Sequence, residues 1–159
     1  MSLRIYGRPL VVTDSGGKDS AVCREIVRRA GIPFELHHNL TTADAPQTIY
    51  YVRQIIREYE SKGIPCSIHY PYYKGQRVSM WSLIPMKRFP PTRLQRYCCE
   101  ILKENSCQDR FITTGVRWAE SQKRRNNRGV FENYTRDKNK KIILNNDNVD
   151  ERMLFETCT

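Results

Sequence analysis

No stretch of the 159-residue chain approaches the roughly 18 consecutive apolar residues that a bilayer-spanning helix needs. Its N-terminus also lacks the apolar core of a secretion signal. Neither export nor membrane insertion is expected, and a cytoplasmic setting is the default. Acidic residues are in short supply: 17 Asp and Glu stand against 27 Lys and Arg, a formal net charge of +10. That deficit favours anionic partners such as nucleotides, sulfated or phosphorylated molecules, or nucleic acid. Histidine is scarce as well. His37 and His38 are adjacent in a strand-like run, so their side chains point to opposite faces, and His69 stands apart. A shared histidine metal site is therefore not expected. Two familiar phosphate loops are missing too. Asp19 follows Lys18 where a Walker A loop needs Ser or Thr, and the GxGxxG spacing of a dinucleotide fingerprint does not occur.

What is present describes a globular chain. It has 39% hydrophobic and 28% charged residues, and its length suits one domain with a real core. Of the six cysteines, Cys98 and Cys99 are adjacent, a poor element for a disulfide framework, and a reducing compartment disfavours such bonds. Metal ligation or plain burial fits better; Cys23 and Cys66 read as packing residues. Between Arg117 and Lys141 nine Lys or Arg face three acidic residues. The segment reads either as a solvated loop or as an anion-binding surface.

Short apolar runs alternate with helical stripes along the chain. Residues 9–13 suit a buried strand, and Ala21, Val22, Ile26, Val27 and Ala30 follow at helical spacing up to Gly31. Residues 34–38 read as a second strand. Pro46 opens a second helix with a stripe of Ile49, Val52, Ile55, Ile56 and Tyr59, and residues 65–69 form a third strand. Residues 70–75 look like a loop and 78–86 like a short helix. Leu94, Tyr97, Cys98, Ile101 and Leu102 predict a helix over 92–104. Residues 110–116 and 141–144 complete the strands. The fold class is α/β, a mainly parallel sheet with helices on both faces. The expectation is one nucleotide-binding domain over residues 1–159. Residues 152–156 resemble the start of an amphipathic helix, which leaves a truncated C-terminus as an open alternative.

The segment Ser15-Gly16-Gly17-Lys18-Asp19-Ser20 joins the first strand to the first helix. Two glycines let the backbone turn tightly around an anion. The helix offers its N-terminal N–H groups and the positive end of its dipole, while Ser15, Ser20 and Lys18 add hydroxyls and a compact positive charge. Together these make a phosphate cradle.

This SGGKDS segment resembles the SGGxDS loop of the adenine nucleotide alpha hydrolase-like superfamily, which includes ATP pyrophosphatases and phosphoadenosine phosphosulfate (PAPS) reductases. Residues 41–46 (TTADAP), 96–103 (RYCCEILK) and 114–121 (TGVRWAES) resemble later blocks of the PAPS reductase branch. The resemblance implies a five-stranded-type α/β nucleotide fold with its ligand at the carboxyl edge of the sheet. It implies that Ser15, Gly16, Gly17, Lys18, Asp19 and Ser20 hold phosphate or sulfate oxygens, that Thr41 and Thr42 border the nucleoside, and that Arg117 reaches the same anion. A planar guanidinium suits bidentate recognition of that kind.

The same resemblance bears on activity. PAPS, adenylylsulfate or ATP is the implied ligand, with Mg²⁺ accompanying ATP. The implied activities are a PAPS reductase-like oxidoreductase or an ATP-pyrophosphatase-type sulfurtransferase acting in sulfur metabolism or sulfur transfer. A thioredoxin-like reductant or nucleic acid would be the macromolecular partner, and a homo-oligomer is open. PAPS reductases of the branch carry a nucleophilic cysteine in an ECGxH-like tail. Here Cys158 precedes only Thr159, so thioredoxin-dependent reduction by this polypeptide alone is not implied. Cys98-Cys99 resembles the pair that helps ligate a [4Fe-4S] cluster in adenylylsulfate reductases, with Cys158 as a third candidate and Cys107 a weaker one. Such a cluster takes four thiolates and the downstream CxxC is missing, so this chain alone is not expected to hold one. The competing readings are a non-catalytic nucleotide-binding module and a component of a nucleic-acid sulfur-modification system.

Overall fold

The computed structural model describes residues 7–104, 106–107, 110–115, 131–133 and 142–144. The chain divides after Gly115 into two compact units. In the first, strand β1 (Leu10–Thr13) leads to helix α1 (Lys18–Arg29), strand β2 (Phe34–Asn39), helix α2 (Pro46–Ser61) and strand β3 (Cys66–His69). A small hairpin follows, β4 (Tyr72–Tyr73) and β5 (Gln76–Arg77), then helix α3 (Met80–Lys87). One turn of helix, α4 (Tyr97–Cys99), continues as a π-helix over Glu100–Glu104, and strand β6 (Ile112–Thr113) closes the unit. The second unit contains strands β7 (Phe131–Asn133) and β8 (Ile142–Leu144), paired antiparallel.

The main sheet has the order β3-β2-β1-β6, and all its pairings are parallel. The protein is an α/β protein, as the alternation of strands and helices predicts. Four strands of the five-stranded pattern lie in this sheet among the described residues. Helices α1 and α2 pack on one face, where Val27, Val52, Ile55, Ile56 and Tyr59 meet Val12, Phe34 and Leu36. The opposite face carries fully buried Val11 and Asn39, whose side-chain amide donates to the Lys103 carbonyl at 3.2 Å. A second apolar cluster joins Val78, Leu83, Tyr97, Ile101 and Leu102. No described helix is long and apolar enough to cross a membrane.

Several elements differ from their sequence pattern. Only part of the apolar stripe of α1 is buried: Val27 turns inward with Ser20 and Arg24, while Val22 and Ile26 are 58% and 60% exposed. A polar requirement at the end of β1, described below, outweighs two apolar side chains. The helix expected over 92–104 begins only at Tyr97, and Leu94 is 96% exposed. Thr92 instead forms a turn with Gln95 through two hydrogen bonds. Residues 70–75 are not an open loop. Lys74 and Gly75 both have positive φ, +50° and +77°, the conformation of a type I′ turn, which suits a two-residue hairpin. Strand β7 falls inside the basic segment 117–141, which reads as loop because its three residues are too short a run to show a period. Residues 1–3 and 152–156 lie outside the described residues.

These burials generate a contrast. Leu36→Ala, at the centre of the α1–α2 face, should cost about 2–5 kcal/mol. Ile26→Ser, on the outward face of α1, should change stability by no more than about 0.5 kcal/mol. Urea denaturation of both variants checks the orientation of α1, and equal losses would contradict it.

Candidate functional site

Strand β2 lies on one side of β1 and β6 on the other, so the chain reverses direction across the sheet at β1. Such a switch point opens a crevice beyond the carboxyl ends of the strands, where ligands of open α/β sheets bind. The turn from β1 into α1 lines this crevice.

Asp14, the first residue past β1, is only 2% exposed, and its polar groups are engaged. Its N–H donates to the His37 carbonyl at 2.8 Å, and its own carbonyl accepts from His38 Nδ1 at 2.7 Å. Carboxylate Oδ1 accepts from the Gly16 amide at 2.7 Å and the Ser20 hydroxyl at 3.0 Å. Oδ2 is paired with the Arg24 guanidinium, itself buried in α1 and 5.4 Å from the centre of the Tyr59 ring. A carboxylate removed from water needs this many donors. That need turns Ser20 and Arg24 inward and sends Val22 and Ile26 outward.

The loop is narrow by steric necessity. Gly16 has φ +76°, and a Cβ there would stand 2.9 Å from methyl carbons of both Thr48 and Val52 in α2. Gly17 is the N-cap of α1, and no side chain caps the helix. Ser15, Gly17 and Lys18 are exposed, whereas Ser20 is buried with its hydroxyl 2.8 Å from the Gly17 carbonyl and 3.3 Å from Ser15 Oγ. Beyond β6, a Cβ on Gly115 would lie 3.0 Å from the Asp19 carbonyl group and 3.2 Å from the Ser20 nitrogen. The Thr114-Gly115 block thus rests directly on the start of α1, and Thr13 Oγ1 donates to the Thr113 carbonyl at 3.0 Å.

A family-model comparison matches residues 9–145 to the phosphoadenosine phosphosulfate reductase domain. The chain belongs to that family. Comparisons with curated proteins and with solved structures gave no match. The match supports a nucleotide-binding function related to sulfur metabolism.

The other sequence-predicted residues are distributed unevenly around this PAPS reductase crevice. Thr41 and Thr42 follow β2 on the same edge, but both hydroxyls are engaged. Thr41 donates to Asp44, and Thr42 donates to the Thr41 carbonyl at 2.6 Å and accepts the Met80 amide at 2.7 Å. Thr42 also has φ +62°. Arg117 and Cys158 lie outside the described residues. Cys98 and Cys99 are half-buried in the α4 turn, and an Arg96 N–H points at Cys99 Sγ across 3.3 Å. Burial and the neighbouring Cys99 push the Cys98 thiol up, and burial does the same to Cys107. Among the described residues no group of three His, Cys, Asp or Glu could hold a metal ion. Asp14 and Arg24 were invisible as site residues because neither contributes to an apolar stripe. The spacing of Ser20, Arg24 and Val27 was the available signal.

Both buried histidines belong to this framework. His37 bonds Ser67 Oγ at 2.8 Å and Asn39 Oδ1 at 3.2 Å. Its ring centre lies 6.1 Å from that of His69, so His69 does not stand apart in the fold. Burial holds the pKa of His37, and that of His38, below the ordinary 6.5.

Two predictions follow from this geometry. Asp14→Asn or Arg24→Met alone strands a buried charge and should cost about 3–5 kcal/mol. The double variant should recover part of that loss, and purely additive losses in denaturant titrations would deny the coupling. For the histidines, the unfolded chain binds more protons below about pH 6.5. Stability is full above the ordinary histidine pKa and falls as pH drops toward the lower folded values, by up to about 1.4 kcal/mol per pH unit for each residue. Thermal melts between pH 8 and 5.5 should show this fall, and His37→Gln should shrink it.

Proposed function

We propose that the crevice binds the phosphate or sulfate end of an adenine nucleotide, one of PAPS, adenylylsulfate and ATP, as the first step of a sulfur-handling reaction. The observation that carries this reading is the Asp14 clamp. It spends the Gly16 amide and the Ser20 hydroxyl on internal bonds, so the loop is rigid before any ligand arrives. The outward positions are then Ser15, Gly17 and Lys18 at an uncapped helix N-terminus, where N–H groups and the helix dipole favour an anion. Pre-organised donors of this kind bind tightly because little ordering remains to be done.

In this reading Lys18 draws in the anion and offsets charge that develops on it. The family resemblance of residues 114–121 makes Arg117 the candidate for a further, bidentate contact with the anion. Asp19 and the backbone at Thr41 and Thr42 shape the nucleoside side. With ATP, bound Mg²⁺ would neutralise charge on a pyrophosphate leaving group. Asp14 is not its ligand, because its carboxylate is committed to Arg24, Gly16 and Ser20. A second reading, nucleotide binding without chemistry, is favoured by the thiols. Burial raises the pKa values of Cys23, Cys66, Cys98 and Cys107 above the ordinary value, Cys66 to about 11, and a thiol that stays protonated is a poor nucleophile.

Isothermal titration with ATP, adenylylsulfate and PAPS, with and without Mg²⁺, tests the proposal. One of the three should bind, and Lys18→Ala should weaken it at least about tenfold, the size of one charge-assisted contact. Failure of all three to bind refutes the reading. Binding without turnover in the presence of thiol reductants selects the second one.

A further inference from the structure

The segment between β3 and β6 holds a surface that the nucleotide reading does not use. From Ser61 to Cys99 the chain contains no Asp or Glu, against seven Lys or Arg and six aromatic residues. The aromatics divide into two groups. Tyr97 is buried, and Tyr73 packs on the second apolar cluster with the Lys87 ammonium 4.5 Å from its ring centre. Tyr70, Tyr72, Trp81 and Phe89 are exposed, Tyr72 by 58% and Trp81 by 70%.

The exposed rings are held on built elements. Tyr72 pairs directly with Arg77 across the hairpin, so their side chains leave the same face. Tyr70, two residues earlier, lies under the Arg77 guanidinium at 3.9 Å. Lys74 is at the hairpin tip. The Val78 amide closes the hairpin neck on the Pro71 carbonyl at 3.0 Å, and Trp81 stands in the first turn of α3, next to Met80. The Met80 amide bonds Thr42 in the loop after β2, which ties this platform to the carboxyl edge of the sheet.

Flat rings open to solvent, a guanidinium stacked on one of them, and a run of chain whose only charges are positive are the parts of a single-strand platform. Bases stack on the rings and phosphates meet the cations. We propose that this surface binds single-stranded nucleic acid, with bases on Tyr72 and Trp81 and phosphates on Lys74, Arg77 and Arg88. A duplex keeps its base faces stacked inside and offers these rings nothing. The proposal stands on this surface alone and does not depend on which nucleotide the SGGKDS loop takes.

Fluorescence anisotropy of a labelled oligothymidine with the full chain tests it, across a salt titration. Binding should weaken steeply with salt. Tyr72→Ala and Trp81→Ala should each lower affinity by about five- to a hundredfold, and Arg77→Gln should flatten the salt slope. Thermal melting of all three variants should match that of the parent chain. In a Trp118→Phe chain, Trp81 emission should be quenched on binding. Absence of binding at low salt would overturn the proposal. So would binding indifferent to Tyr72→Ala and Trp81→Ala, as expected if the basic segment 117–141 carried it. Preference for duplex DNA or for phosphatidylserine vesicles over the single strand would also overturn it.

Discussion

A charged carboxylate placed at the dry end of a strand leaves the chain little choice about what surrounds it. Asp14 occupies that place, and its partners come from three elements: Arg24 and Ser20 from α1, Gly16 from the turn, and His37 and His38 from β2. The rotation of α1 about its axis, the path of the glycine turn and the pairing of β1 with β2 all meet at this one residue. A buried ion pair contributes little net stability compared with apolar packing of similar volume. Its value here lies in geometry, because few other arrangements of α1 satisfy both charges.

The sheet and its helices were legible because burial imposes simple periods. Val11 and Val12 in β1, and Val52, Ile55, Ile56 and Tyr59 in α2, sit where apolar spacing puts them. Periodicity failed where a polar group decided the outcome. In α1 Val22 and Ile26 face outward, away from buried Val27, because Arg24 must reach Asp14. Around Leu94 the apolar spacing was sound, but Thr92 and Gln95 close a turn on each other and the helix begins only at Tyr97. The glycine loop was readable from residue types alone, since strand, turn and helix occur in sequence order. Its partner at Gly115 was marked as a motif, yet nothing in one dimension showed that it touches Asp19 and Ser20.

The two chemistries of the carboxyl edge differ in how they are built. The crevice at β1 and β6 is made of backbone and short side chains, held from inside by one carboxylate. The hairpin and the start of α3 instead present long, flat side chains outward, supported from below by Leu83, Tyr97 and Leu102. The Thr42 hydroxyl, which accepts a hydrogen bond from the Met80 amide, ties the loop after β2 to the start of α3.

The contact of Gly115 with the first turn of α1 sets a limit on how this fold can vary. Main chain meets main chain there, with no side chain between to shorten, lengthen or rotate. Most crevices adapt to bulkier or slimmer ligands by exchanging the residues that line them. At this wall that route is narrow, since even a methyl group would press on the Asp19 carbonyl group at 3.0 Å and make the main chain give way.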